Sequence, residues 1–379
     1  MRKQIRLALG ALAASAIVLG PAAAASADDG GDHDGHVVFV QTNDLNGNHV
    51  LAFDRAADGR LNPGPSFATG GKGGALQGAA ADHLASQGSL VYDPTHQLLI
   101  GVNAGSNSVY SAHVDGNRLS GLHVVDAGGL FPVSVTVHEE LAYVLNAEGA
   151  GSVSGYRVDR DGLSPIPGSV RSLGLTPVTG PTQFVNTPGQ VSFTPDGEEL
   201  LVTTKANGSH IDAFQVRPDG RLSTAPVVTT STTPVPFGVQ FNRDLQLVVA
   251  EAGGNALSTY RIGAAGVLSP LGSLTDGQLA LCWVEKAEGF FYVANPGSGT
   301  LSGYRIDASG KPSLLGATGV VASPGGGPID LAATRSGHFL YVQLGVSGNV
   351  AGYKVNEDGS LTSVGTVTGL PGMEGIVAL

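Results

Sequence analysis

One phrase recurs seven times along this 379-residue chain. An alternating strand that carries an aromatic is followed by a polar turn closing on Gly. The copies read HVLAFDRAADGRL at 49–61, SVYSAHVDGNRL at 108–119, SVSGYRVDRDGL at 152–163 and HIDAFQVRPDGRL at 210–222. Three more are ALSTYRIGAAGVL at 256–268, TLSGYRIDASGKP at 300–312 and NVAGYKVNEDGSL at 349–361. Their shared register position is Phe53, Ala112, Tyr156, Phe214, Tyr260, Tyr304 and Tyr353, at spacings of 59, 44, 58, 46, 44 and 49 residues. A period of this length marks a structural unit that buries its apolar faces only by stacking against its neighbours.

Each copy is preceded by a short apolar run: VVFVQ (37–41), LLIGV (98–102), LAYVL (141–145), LLVTT (200–204), LQLVVA (245–250), FFYVA (290–294) and FLYVQ (339–343). Before that, most units carry a further strand pattern, at 89–93, 133–137, 190–194, 238–241, 279–283 and 329–333. A fourth strand follows the polar turn, as in 168–174 and 359–367. Four antiparallel strands per repeat predict an all-β fold, a seven-bladed β-propeller over residues 37–379. A β-sandwich does not repeat one aromatic register seven times, and a β-helix has a much shorter period. The ends are complementary. The first unit lacks an inner strand before Val37, and the chain ends in GIVAL (375–379), an inner-strand pattern with nothing after it. The C-terminal strand is therefore expected to fill the first blade and close the ring, leaving no open edge.

Composition fits many short strands joined by tight turns: 57 Gly, and 13% charged residues. A single Cys excludes a disulfide scaffold and any cysteine-built metal centre. The formal net charge of −11 argues against a nucleic-acid partner. Residues 1–27 read as a cleaved export signal: basic Arg2, Lys3 and Arg6, an apolar run over 7–19, and Ala25-Ser26-Ala27 as the cleavage pattern. That predicts a secreted protein with no membrane span in the mature chain. Cleavage removes three basic residues and takes the charge to −14. Residues 28–36 (DDGGDHDGH) read as an acidic flexible linker, because nothing in it fixes ligand geometry for a metal.

In a blade, the turn after the second strand lies on the face from which the inner strand starts, so ligand chemistry is expected at that mouth. Asn103, Asn146 and Asn295 occupy this turn in three units and suit a structural role there. Lys205 and Glu251, in the neighbouring register of units four and five, are poor turn residues. They suggest an ion pair or an acid–base pair, against the plainer reading of a solvated surface pair. Glu148 lies in the loop of unit three. Pro132, Pro188, Pro236 and Pro328 mark the approaches to inner strands, and two residues on Gln190 and Asp330 are expected to point toward the channel mouth. Two long links, 70–88 with Lys72, Gln77 and His83, and 174–189 with Gln183 and Asn186, are expected to cover that mouth. No G-x-S-x-G elbow, H-E-x-x-H pattern or EF-hand loop occurs. Neither a metal nor a cofactor is expected.

The phrases FTPDGEELLVTT (193–204), FFYVANPGSGTLSGYRID (290–307) and AYVLNAEGAGSVSGYRVD (142–159) resemble the lactonase family of seven-bladed propellers. That family includes 6-phosphogluconolactonases and carboxymuconate-lactonizing enzymes, and the resemblance runs over essentially all of 37–379. It implies the fold more than the activity. Active members typically carry a G-P-R-H phrase before an inner strand and an Asn-Glu pair on the next. Here the matching positions are Thr187-Pro188-Gly189-Gln190 and Thr204-Lys205. A family H-P-H phrase corresponds to Phe131-Pro132-Val133. The cation that would hold a sugar phosphate is missing.

Two functions follow as expectations. One is a lactonase-like hydrolase or cycloisomerase acting on a small neutral cyclic ester. Lys205 and Glu251 would be its catalytic pair, and Gln190, Asp330, Gln183, Glu148 and His83 would lie around the ligand. The other is a non-catalytic exported propeller that binds a small molecule or a protein at the same mouth. In either case a monomer is expected.

Overall fold

The computed structural model describes residues 36–370 and 372–379. The export signal expected at 1–27 and nearly all of the linker at 28–36 lie outside the described residues. From Val37 onward the chain forms seven antiparallel sheets. Their inner strands pack in sequence, and the closing strand Ile376–Ala378 touches both the first and the last of them, so the sheets complete a ring.

Closure occurs as the sequence predicts. Ile376–Ala378 pairs antiparallel with Val37–Gln41, setting Val40 opposite Ile376 and Val38 opposite Ala378. Blade one then continues outward through His49–Arg55 and Leu61–Ala68. The other blades start from inner strands Leu90–Asp93, Pro132–His138, Val191–Phe193, Pro236–Phe241, Trp283–Ala287 and Pro328–Ala333. Blades three and six split the outermost strand in two, Gly162–Pro165 with Arg171–Ser172 and Pro312–Leu314 with Val320–Ala322. Pro165 and Pro167 interrupt the first, where a residue without an N–H is tolerated at a sheet edge.

The second strands carry the core. Leu98–Asn103, Glu199–Thr203, Leu247–Glu251 and Phe290–Asn295 are buried at every position, which is why they read as unbroken apolar runs rather than as an alternation. The repeated aromatic register is buried in all seven copies. Tyrosines on the middle strands tie blade to blade. On the second strand, Tyr143, Tyr292 and Tyr341 donate to the carbonyls of Gly220, Gly359 and Gly59, the glycines that close the next blade's polar turn. On the third strand, Tyr156 and Tyr304 reach back to the carbonyls of Asp126 and Leu274 on the preceding blade.

Two expectations at the inner strands need correction. In unit six the strand is Trp283–Ala287, not 279–283. Leu279 is 59% exposed and Ala280 adopts a positive φ of 64°, so 279–282 is the approach to the strand, with Leu281 and Cys282 buried in it. The true strand carries Glu285 and Lys286, polar residues that a channel-facing strand accommodates. In unit four Pro188 precedes the strand Val191–Phe193 rather than opening it, whereas Pro132, Pro236 and Pro328 each open theirs.

Candidate functional site

The link 70–88 does more than shade the mouth; part of it seals the ring axis. Asp82 folds the tip by accepting the amides of Leu84 (2.9 Å), Ala85 (2.6 Å) and Ser86 (2.9 Å), a tight turn of the kind Asp favours. That tip is bonded to four blades. Ser86 donates its hydroxyl to Val133 O of blade three, and its carbonyl accepts the indole N–H of Trp283 of blade six at 2.8 Å. The Gln87 side chain exchanges two hydrogen bonds with the backbone of Val284, and its amide N–H reaches Gly189 O near blade four. In front of the closing strand, the Glu374 carboxyl accepts the amides of His83 and Leu84. The second link is held to the first: Gln183 accepts the amide of Gln77 at 2.7 Å, and Gln77 accepts that of Gly180 at 2.6 Å.

This plug leaves two separate cavities. On the mouth side, off the axis, is a pocket of about 400 Å³. Ala79, Ala80 and Ala81 of the link form one wall; Phe184, Phe237, Trp283 and Cys282 form much of the rest, with Lys205 and Asp82 at its edge. Phe237 and Trp283 meet edge to face with centroids 4.8 Å apart. Below the plug, along the axis, a second cavity of about 360 Å³ is lined by inner strands, with Gln190, Gln240, Glu285, Asp330 and Arg335 supplying its polar groups.

Lys205 is 1% exposed. Its ammonium donates to Ala85 O (2.6 Å), Phe184 O (2.5 Å) and Thr187 Oγ1 (3.1 Å), and lies 5.3 Å from the centroid of the Phe237 ring. It thereby ties both covering links to blade four. Burial pushes it down to about 7, against an opposing pull from Asp82. The Cys282 thiol beside it is pushed up to about 12 by burial, which removes it as a nucleophile at neutral pH.

Glu251 is fully buried and sits elsewhere. Its carboxylate accepts from Ser258 Oγ and Tyr260 OH of its own blade and from Thr232 N, Thr233 N and Thr233 Oγ1 of the link entering that blade, all within 3.1 Å. It occupies the strand-end register of Asn103, Asn146 and Asn295; Asn146 and Asn295 donate to serines of their own blades, while Asn103 accepts the Thr69 hydroxyl at the end of blade one. So the structure does not bring Lys205 and Glu251 together as an ion pair, and neither is a solvated surface residue. Each is spent on protein partners, because a charge removed from water must be satisfied by hydrogen bonds.

The remaining candidates divide. Gln190 and Asp330 do line the axial channel, but beneath the plug rather than in an open mouth. Gln183 is structural, as described. His83 contributes its amide to Glu374 and lines neither cavity. Glu148 and Lys72 are exposed on their loops. Asn207, in the Asn207-Gly208-Ser209 sequon, uses its amide on Thr176 O and Asn186 O, holding the second link.

Residues 199–321, running from the second strand of blade four into blade six, match the family description "Lactonase, 7-bladed beta-propeller". The fold is that of the lactonase-type seven-bladed propellers. A periplasmic gluconolactonase from Pseudomonas aeruginosa superposes with a TM-score of 0.70 at 19% identity, over 90% of this chain and 98% of that one. A protein from Bacteroides fragilis described as a candidate 6-phosphogluconolactonase gives 0.67 at 16%, over 92% and 99%. A counterpart from Bacteroides uniformis gives 0.68 at 17%, over 90% and 99%. These identities speak for the shared fold alone. No curated protein matches the sequence.

Within this seven-bladed propeller the sequence reading missed Asp82, Glu374, Glu285 and the aromatic wall of the mouth pocket. Two signals were present: a Glu directly before the closing GIVAL strand, and adjacent charges at 285–286 in an otherwise apolar approach. The aromatic wall had no such signal, because Phe184, Phe237 and Trp283 come from one link and two separate inner strands.

Proposed function

We propose that this protein binds a small, uncharged, largely apolar molecule in the mouth pocket. The carrying observation is the lining: aromatic and alanine side chains, with the only two charged groups, Lys205 and Asp82, already engaged by protein atoms. A ligand there gains from apolar burial and finds no cation free to hold a phosphate. The leader pattern at 1–27 supports a place outside the cytoplasm, which N-terminal sequencing of the mature protein tests.

The pocket contains Trp283, the single tryptophan of the chain. Titration with alkyl- or aryl-substituted lactones and with matched apolar non-lactones should change Trp283 fluorescence saturably, and Ala80→Trp should abolish the response by filling the pocket. Sugar phosphates should give none. Saturable binding of a sugar phosphate, or no response to any apolar probe, defeats this reading.

Lactone hydrolysis is a second reading, supported by the family match and by the position of Lys205. Burial holds the Lys205 amine at about 7, and it serves as a base only where a ligand displaces one of its three protein acceptors. Turnover on the same lactone panel that is lost in Lys205→Met, while apolar binding persists, would establish it. Glu251 has no place in that chemistry, since its five hydrogen bonds leave no route to a substrate.

A further inference from the structure

The axial cavity beneath the plug is independent of the mouth pocket. Asp330, on the inner strand of blade seven, is 6% exposed and turns its carboxyl into this cavity; the adjacent Leu331 amide is the hydrogen-bond donor found beside it. Glu285, on the neighbouring inner strand, lines the same cavity; its carboxyl accepts the Gln240 amide through Oε2 at 2.8 Å, with the backbone amides of Lys286 and Ala333 also beside it. Gln240 contributes its own carbonyl oxygen there, since its NH₂ goes to Glu285, while Gln190 has committed its carbonyl to Val239 N. The wall therefore offers a column of acceptors.

We propose that the axial channel is a second binding site, taking a small linear organic cation with one or two primary ammonium groups between the carboxyls of Asp330 and Glu285.

Three features support this. First, two carboxyls withdrawn from bulk water in one cavity are costly, and a bound ammonium adds to what Lys286 alone supplies to Glu285. Burial pushes Glu285 up to about 8, against the pull of the Lys286 amide and Gln240. Burial, with Asp82 and Glu285 adding to it, holds Asp330 well above the usual carboxylate range. Second, the acceptors do not converge as a metal cage. Among the described residues, three acidic, imidazole or thiol ligands meet only at Asp196, Glu198 and Glu199, on an exposed turn of blade four. A channel of about 360 Å³ with spaced acceptors suits an extended cation better than a bare ion. Third, the chain's net negative charge favours the approach of cations.

The charges facing the pair are Asp82 from the plug, Lys286 beside Glu285 on its strand, and Arg335, which lines the same cavity. Binding an ammonium favours the ionised carboxyls, so uptake at pH 7 must release protons.

The test is calorimetry on the whole chain at low salt and pH 7, with 1,4-diaminobutane, in two buffers of different ionisation enthalpy. Saturable binding with buffer-dependent heat is expected, weakened at least tenfold in both Asp330→Asn and Glu285→Gln and unchanged in Glu148→Gln. Absence of binding by the wild-type protein overturns the proposal without recourse to any variant. So does binding without proton release, an equal loss in Glu148→Gln, or binding of calcium or magnesium in place of the amine. Trp283 fluorescence belongs to the other cavity, so failure here leaves the apolar pocket standing.

Discussion

Tyr292 and Gly359 show how a single contact sets the spacing of two blades. The turn that ends at Gly359 needs a φ of +88°, which only glycine adopts without strain. A Cβ there would stand 2.6 Å from Leu315 and 2.8 Å from Phe290. The same residue presents the carbonyl that accepts the Tyr292 hydroxyl at 2.9 Å. Gly359→Ala should therefore cost about 2 kcal/mol or more, and Tyr292→Phe, which orphans one buried carbonyl, about 1–2 kcal/mol. Urea denaturation of the two variants checks this; wild-type stability in Gly359→Ala would refute the account. At this scale the sequence was legible where a residue repeats and opaque where it does not. The closing glycines announced themselves in seven units and the turn asparagines in three. Glu251 was misleading because its residue type suggests chemistry while its register is that of a turn asparagine. Lys205 was legible as unusual, but its role as a tie between two links depends on acceptors 18 and 120 positions away.

At the scale of the strand, closure by Ile376–Ala378 was readable because two defects at opposite ends of the chain matched. The inner strand of blade six was not, because amphipathic expectation fails on a strand that faces a polar channel. LALCW looked like a strand and WVEKA did not, although the second is the one that pairs, with Val284 opposite Val293. The closing strand also anchors the plug through Glu374, so its loss removes two things at once. Deleting 372–379 strips the partner from Val38–Val40, exposes a sheet edge to the axis and frees the amides of His83 and Leu84. The truncated protein should melt more than about 10 °C below the full chain, as a loss of several kcal/mol implies for a domain of this size. An unchanged melting temperature would mean that the ring does not depend on this strand.

For the molecule as a whole, a minority of the ionisable groups are buried within the ring, and these govern how stability responds to pH. Burial pushes Asp212, inside blade four, up to about 6 and leaves one of its oxygens unpaired. Glu285, on the channel, is pushed to about 8. Asp330 and Glu374 are likewise raised, each with Asp82 adding to the effect of burial. A carboxyl whose pKa is higher in the folded chain binds more protons there, so its contribution to stability is complete below its unfolded value and is lost as pH rises through the folded one. Lys205 works the other way: lowered from 10.5 to about 7, it favours the folded state above that window and loses the contribution as pH falls through 7. Asp212 and Glu285 give a stability that declines from about pH 4 to pH 8, a decline to which Asp330 and Glu374 add and which Lys205 opposes above about pH 7. Thermal melts across this range should show the decline. Asp212→Asn should make the decline between pH 4 and 6 shallower while leaving the part from pH 6 to 8, where Glu285 still titrates, intact. A melting temperature that climbs steadily from pH 4 to 8 would show that these carboxyls are not buried as acids.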